Sequence, residues 1–157
     1  MRTGRRVAFD IGKARIGVAV SDFHAILASP REHILRRESD ADTIAELISV
    51  VQADEAIEVY VGLPVNLKNE STASTEDAVS IAKQLSQNIA IPIRLVDERL
   101  SSKVASSSLQ ASGKDSRNQR SYIDSAAAAV ILESALSAEK SSGNQPGIAI
   151  EEYQGNE

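Results

Sequence analysis

The sequence predicts an α/β protein in which helices cover both faces of a mixed sheet. Three observations carry that expectation: β-rich runs within the first 35 residues, two alternations of helical and strand periodicity after them, and a long alanine-dense helix near the end. From Arg5 to Val20, RRVAFDIGKARIGVAV holds two β-rich runs joined by GKAR, a short glycine-containing connection that suits a hairpin. A third strand is expected over Ile26 to Leu35. In SDADTIAELISVVQAD, Ile44, Leu47, Ile48 and Val51 fall at helical spacing behind the polar starters Ser39 and Asp40, and AIEVYVGLP then returns to strand character. STEDAVSIAKQLSQNI repeats the pattern, with Ser74 and Asp77 in capping-box register and Val79, Ile81, Ala82 and Leu85 as its apolar face, ahead of the strand PIRLVD. Two helices close the chain, one around SSKVASSSLQAS and one over SYIDSAAAAVILESALSAEK. The expected sheet thus has five strands, a three-stranded antiparallel meander plus two parallel strands.

A chain of 157 residues with 42% hydrophobic content suits one domain with a real core. We place it at 1–140 and read 141–157, SSGNQPGIAIEEYQGNE, as a flexible tail because it is rich in Ser, Gly, Asn and Gln. Cysteine is absent, MRTGRRVAFD lacks the apolar core of a signal peptide, and no apolar run approaches the roughly 18 residues of a membrane span. A cytoplasmic protein without a membrane partner is the expectation. The formal charge of −5 runs against a basic nucleic-acid binder, but three of the acids lie in the tail, leaving 17 positive against 19 negative residues, a net of −2, before it.

Open sheets of this kind place their sites beyond the carboxyl ends of the strands. Asp10 interrupts a β run between Phe9 and Ile11, where an unpaired carboxylate is costly to bury; a turn-capping Asp beside Gly12 is the competing explanation. Asp97 and Glu98 fall where the strand PIRLVD ends, a position that a solvated salt-bridge cluster with Arg99 explains equally well. Asp124 lies in line with Ala128 and Ile131, at the edge of a stripe of Ile123, Ala127 and Val130 whose small residues favour close approach to the sheet. Ser121 and Asp124 also read as a capping box. If these carboxylates converge, they repel one another, and a hard divalent cation, Mg²⁺ or Mn²⁺, resolves the repulsion. His24 and His33 are the only histidines and fit surface positions, so nothing favours zinc. Such a cluster suits phosphodiester hydrolysis, in which the metal activates water and stabilises the leaving oxygen.

Four segments, AFDIGKARIGVAVSD at 8–22, VGLPVNL at 61–67, LVDERLSS at 95–102 and IDSAAAAVILES at 123–134, resemble in order and spacing the RuvC-like nucleases of RNase H-like fold, and specifically the YqgF/RuvX type. The resemblance covers residues 5 to about 138. It implies a metal-dependent endonuclease that processes the 5′ end of pre-16S rRNA in ribosome biogenesis, with Holliday junction resolution on branched DNA as an alternative activity. A third alternative is a non-catalytic assembly factor that uses the fold to hold RNA on an immature small ribosomal subunit, since its sequence would look almost identical. Asp10, Asp97, Glu98 and Asp124 match the family's acids, and Asp10, Glu98 and Asp124 are the implied metal ligands. Successive strand residues point to opposite faces, which favours Glu98 over its neighbour Asp97. The chain departs from the pattern at Ser102, Lys68 and Asn69, none of which removes a carboxylate.

Lys13 and Arg15 in the first turn, Lys68, Arg99, and the run SGKDSRNQRSY with Lys114, Arg117 and Arg120 are candidates for phosphate contacts, with solvated surface as the competing explanation. Both a monomer and a homodimer are compatible with the sequence. DIGKARIGVAVSD is also similar to the phosphate-binding hairpin of the sugar kinase, actin and heat-shock ATPase superfamily. Those proteins enclose ATP between two lobes, and 157 residues supply one.

Overall fold

The structure, a computed structural model, describes residues 1–64, 72–98 and 116–153, and along 116–124 the backbone alone. The expected meander is present as β1 (Arg6–Ile11), β2 (Arg15–Ser21) and β3 (Ala28–Leu35), paired antiparallel in sequence. β4 (Glu58–Leu63) lies parallel to β1, and β5 (Ile93–Asp97) lies parallel to β4. The sheet has six strands rather than five: β6 (Ile148–Ala149) pairs antiparallel with β5, so the order is β3-β2-β1-β4-β5-β6. That strand belongs to the segment expected to be a flexible tail. Two residues show no period, but Ile150 just beyond them buries its side chain in the core, and Arg94 holds the carbonyls of Pro146 and Gly147.

Alternation along the strands sorts side chains into two layers. On one face Val7, Phe9 and Ile11 of β1, with Val59, Val61, Ile93 and Leu95, pack against α1 (Asp40–Ala53) and α2 (Ala73–Asn88). Ile44, Leu47 and Val51 of α1 are buried there as their spacing predicts, and Ser39 caps the helix by accepting from the Asp42 N–H at 3.2 Å. The cap of α2 differs from expectation. Thr72 and Thr75 form the reciprocal box, two residues before the Ser74 and Asp77 register, and the Thr75 hydroxyl donates to the Pro64 carbonyl. Asp77 is instead an ion-pair partner of Arg36.

On the other face Ala8, Ala19, Tyr60 and Val96 meet α3 (Ser116–Ser142), a 27-residue helix lying across β1 to β4. Its buried row is Ala128, Ile131, Leu132 and Ala135, while Ala127, expected in the apolar stripe, is exposed. Because α3 begins at Ser116, Ser121 and Asp124 lie inside the helix, which overturns the capping-box explanation, and Arg117 and Arg120 are helical rather than in a loop. The expected helix over 101–112 lies outside the described residues.

The far end of this second layer holds a buried ion network. Arg6 Nη2 meets Glu139 Oε2 at 2.9 Å, Arg2 Nη2 meets Glu58 Oε1 at 2.9 Å, and the Tyr60 hydroxyl donates to Glu58 Oε1 at 2.9 Å. Arg6 and Glu58 are fully buried and Glu139 is 3% exposed. Burial pushes the Glu139 carboxyl up, but hydrogen bonds from Arg2 and the charge of Arg6 outweigh it, so Glu139 titrates below its ordinary range.

Candidate active site

Asp10 stands one residue from the end of β1, opposite Gly17 of β2. It shares its parity with Ala8 and therefore faces the α3 layer. On its other side β4 runs parallel, and one residue past the Phe9 and Val61 pair comes Gly62, also facing α3. Gly62 in turn pairs with Val96 of β5, two residues before Glu98. The three positions line up across adjacent strand ends, and the middle one has no side chain.

That gap lets the outer two meet. Adjacent strands lie roughly 4.8 Å apart, so Asp10 and Glu98, two strands apart, touch only if the space above β4 is empty. A Cβ built on Gly62 would lie 2.6 Å from Glu98 Oε1 and 2.5 Å from Ile131 Cδ1. The Glu98 carboxyl occupies that space and hydrogen-bonds to Asp10. Burial first, then the hydrogen bond and charge of Asp10, then the charge of Asp97, push the Glu98 carboxyl up to about 8 from its ordinary 4.5.

Asp97, the last residue of β5, pairs with Leu63 and shares the parity of Leu95, on the face toward α1 and α2. Glu98, with the parity of Val96, lies on the α3 side and reaches Asp10. Among the described residues no three Asp, Glu, His or Cys side chains form a ready metal cage.

The side chain of Asp124 lies outside the described residues, but its place on α3 is known. Residue 124 precedes Ala128 by four and Ile131 by seven, in line with the buried row, and Ile131 is the residue that touches the space over Gly62. The next residue, Ser125, is fully buried and accepts a hydrogen bond from the Val18 N–H at 3.0 Å.

The turn after Asp10 is closed by a Gly12 N–H to Arg15 carbonyl bond of 2.9 Å, and a Cβ on Gly12 would lie 2.5 Å from that carbonyl oxygen. Lys13 and Arg15 are exposed on this turn. Arg36 clasps it from behind, donating to the Gly12 carbonyl at 3.2 Å while pairing with Asp77 at 2.6 Å and Asp40 at 3.2 Å. Sequence reading missed Gly62, Arg36 and Ser125. VGLP was noticed only as part of a motif, and the importance of all three arises from register between distant segments. Lys68, Arg99 and Lys114 lie outside the described residues, as do the side chains of Arg117 and Arg120.

Solved structures place this geometry in a known fold. T. thermophilus RuvC in complex with a Holliday junction substrate matches with a TM-score of 0.61 at 14% identity, covering 91% of this chain and 99% of that one. A second Thermus thermophilus RuvC structure gives 0.55 at 13% identity, covering 87% and 96%. The fold is therefore RNase H-like, as the resemblance implied. Among sequence relatives, a protein of Clavibacter michiganensis is 43% identical over 150 residues, covering 96% of this chain and 93% of the relative. One of Leifsonia xyli is 44% identical over 153 residues, covering 96% and 97%, and one of Streptomyces coelicolor is 45% identical over 152, covering 96% and 90%. All three carry the name "Putative pre-16S rRNA nuclease". The family described as "RuvX: Holliday junction resolvase" matches residues 4–138. With that match and relatives of more than 40% identity over nearly its whole length, the chain belongs to the RuvX family of RuvC-like nucleases.

Proposed function

We propose that this protein is a metal-dependent endonuclease that hydrolyses phosphodiester bonds, acting in the cytoplasm on the 5′ end of pre-16S rRNA during ribosome biogenesis. The observation that carries the chemistry is the meeting of Asp10 and Glu98 over Gly62 at the carboxyl ends of β1 and β5. The names of the relatives support the substrate.

Two carboxyl groups in contact at a strand end are a hard oxygen donor set of the kind that fits Mg²⁺ or Mn²⁺. We assign Asp10, Glu98 and Asp124 as the ligands, with Asp97 as a neighbouring acid that adds negative charge to the site. When bound, such an ion supplies an activated water and offsets charge that develops on the phosphate in an in-line displacement. The protein's own contribution is preorganisation. The strand ends of β1 and β5 fix two oxygen donors, so little reorganisation remains for the reacting state. Lys13 and Arg15 stand next to Asp10 on the turn and suit contacts to the phosphate backbone. Lys68, Arg99, Lys114, Arg117 and Arg120 are assigned the same role on sequence position alone.

The test compares the parent with Asp10→Asn on a precursor 16S rRNA fragment, with Mg²⁺ or Mn²⁺ and with chelator, measuring cleavage and binding. Cleavage that needs metal, and that is lost in Asp10→Asn while binding persists, supports the proposal. Equal cleavage by both proteins overturns the assignment of Asp10. Binding without cutting by both makes the protein an assembly factor. The family description favours one further substrate, a four-way DNA junction, and faster cutting of that junction than of the rRNA replaces the proposed substrate.

A further inference from the structure

We propose that Arg36 is a positioning residue that holds the turn between β1 and β2 in shape, so that Lys13 and Arg15 meet the phosphate backbone beside Asp10. The inference rests on the assignment of those two cations to phosphate contacts above and deepens it. Its starting point is how little of the turn is anchored by packing. Lys13, Ala14 and Arg15 are exposed and Gly12 has no side chain, so no apolar side chain of residues 12–15 reaches the core. Main-chain hydrogen bonds then decide the shape of the turn. The Gly12 N–H holds the Arg15 carbonyl at 2.9 Å. Arg36 supplies two more contacts, its own N–H donating to the Ala14 carbonyl at 2.9 Å and its Nη1 to the Gly12 carbonyl at 3.2 Å.

Arg36 is itself fixed from two sides. Asp77 of α2 accepts from both terminal nitrogens, Nη1 at 2.6 Å and Nη2 at 3.3 Å, and Asp40 of α1 accepts from Nη2 at 3.2 Å. A planar guanidinium can satisfy two acids and a carbonyl at once, which a lysine ammonium on its flexible stem does with far less rigidity. The Arg36 side chain is 14% exposed, against 49% for Asp40 and 35% for Asp77. Ion pairs open to water contribute little to stability, so this network suits fixing geometry better than holding the fold together. Through it, the two helices on one face of the sheet bear on the turn that follows Asp10. Arg37 is the contrast one residue on: it pairs with Glu46 at 2.8 Å on the surface, and its N–H goes to the Thr43 hydroxyl rather than to the turn.

Because the chain has no cysteine, a spin label on Lys13→Cys reports the turn alone. Its spectrum is expected to change from a restricted to a mobile line shape in Arg36→Met and to shift partway in Asp77→Asn. Arg37→Met, which removes a charge of the same sign one residue away, is expected to leave it unchanged. With unlabelled proteins in chelator, Arg36→Met is expected to weaken binding of a single-stranded precursor rRNA fragment about tenfold, and Arg37→Met less than about twofold. The slope of log affinity against log salt is expected to flatten by roughly 0.7–1.4, one to two phosphate contacts on a single strand. In a Lys13→Ala, Arg15→Ala background Arg36→Met is expected to add no further loss. A label that stays restricted in Arg36→Met overturns the proposal, as does an equal loss of RNA affinity in Arg36→Met and Arg37→Met. Should Arg36→Met not fold, Asp77→Asn carries the same comparison. If the parent binds no RNA, the functional reading above fails by itself, and the label spectra still decide whether Arg36 holds the turn.

Discussion

Arg6 and Asp10 stand four residues apart on β1, face the same helix and have counterparts on the neighbouring strands, yet their surroundings are opposite in electrostatic logic. Around Arg6, two arginines meet two glutamates, with Tyr60 and Gln145 completing the hydrogen bonds of Glu58. Around Asp10, a second carboxyl is pressed against the first, and a third acid at Asp97 adds to the repulsion. The same α3 layer therefore holds a cluster of paired opposite charges at one end and a contact between two carboxyls at the other. The first needs nothing more, because every charge has an opposite partner. The second, a carboxyl held against another carboxyl, is the perturbed pair on which the proposed metal site rests.

The largest effect expected from breaking this contrast is at the neutral end. Arg6→Met leaves Glu139 and Glu58 buried with one cation fewer, and should lower the unfolding free energy by about 3–5 kcal/mol in denaturant titrations. Cleavage per folded molecule should stay at the parent value. Glu98→Gln does the reverse, lowering turnover on the rRNA fragment by roughly 10²–10³-fold, the scale of losing one preorganised electrostatic contact. In metal-free protein at neutral pH it should raise the melting temperature, because Gln needs no proton taken up on folding to sit against Asp10.

The two ends also respond to pH with opposite sign. Glu98 keeps its proton up to about pH 8 when folded, against an ordinary 4.5, so its contribution to stability is full below that ordinary value and is lost as pH rises toward 8. Glu139 titrates below its ordinary range, so its contribution is present at neutral pH and is lost on acidification. Chelator-treated Glu98→Gln should therefore lack the decline in stability that the parent shows between pH 4.5 and 8, whereas Glu139→Gln should lack part of the acid decline.

Smaller substitutions sharpen the comparison. Gly62→Ala puts a methyl where Glu98 Oε1 and Ile131 Cδ1 now lie, and should reduce turnover and Mn²⁺ affinity together by about 10–100-fold. An unchanged affinity would show that the gap over β4 is not what seats Glu98. Tyr60→Phe removes only the hydroxyl bonded to Glu58, between the two ends, and should cost about 1.5 kcal/mol of stability with no change in cleavage.

Much of this was legible beforehand because it depends on local pattern. The strand-end positions of Asp10 and of the Asp97 and Glu98 pair follow from the β runs around them, and the buried faces of α1 and α2 follow from helical spacing. The misreadings have physical causes. Polar residues at 116–122 read as a loop, but a helix tolerates them wherever the face is exposed, so α3 starts earlier and Asp124 is not at its terminus. Any of several Ser and Thr residues before α2 can cap it, and contact between Thr75 and Pro64 selects Thr72. A two-residue strand has no period to detect. The network of Arg2, Arg6, Glu58 and Glu139 joins positions up to 137 residues apart, and neither composition nor spacing encodes it.

The strand that presents Glu98 acquires its second neighbour late. β6 begins 51 residues after β5 ends, counting from Asp97 to Ile148, and α3 lies between them in the chain. During synthesis β1 to β5 therefore emerge with the outer edge of β5 still an open row of donors and acceptors, a surface on which chains aggregate. On the opposite edge Pro30 of β3 contributes no amide hydrogen, so self-association through that side is discouraged from the start. A chain truncated before Ile148 would lack β6 and be vulnerable along one side only, and that side is the strand that carries Asp97 and leads into Glu98.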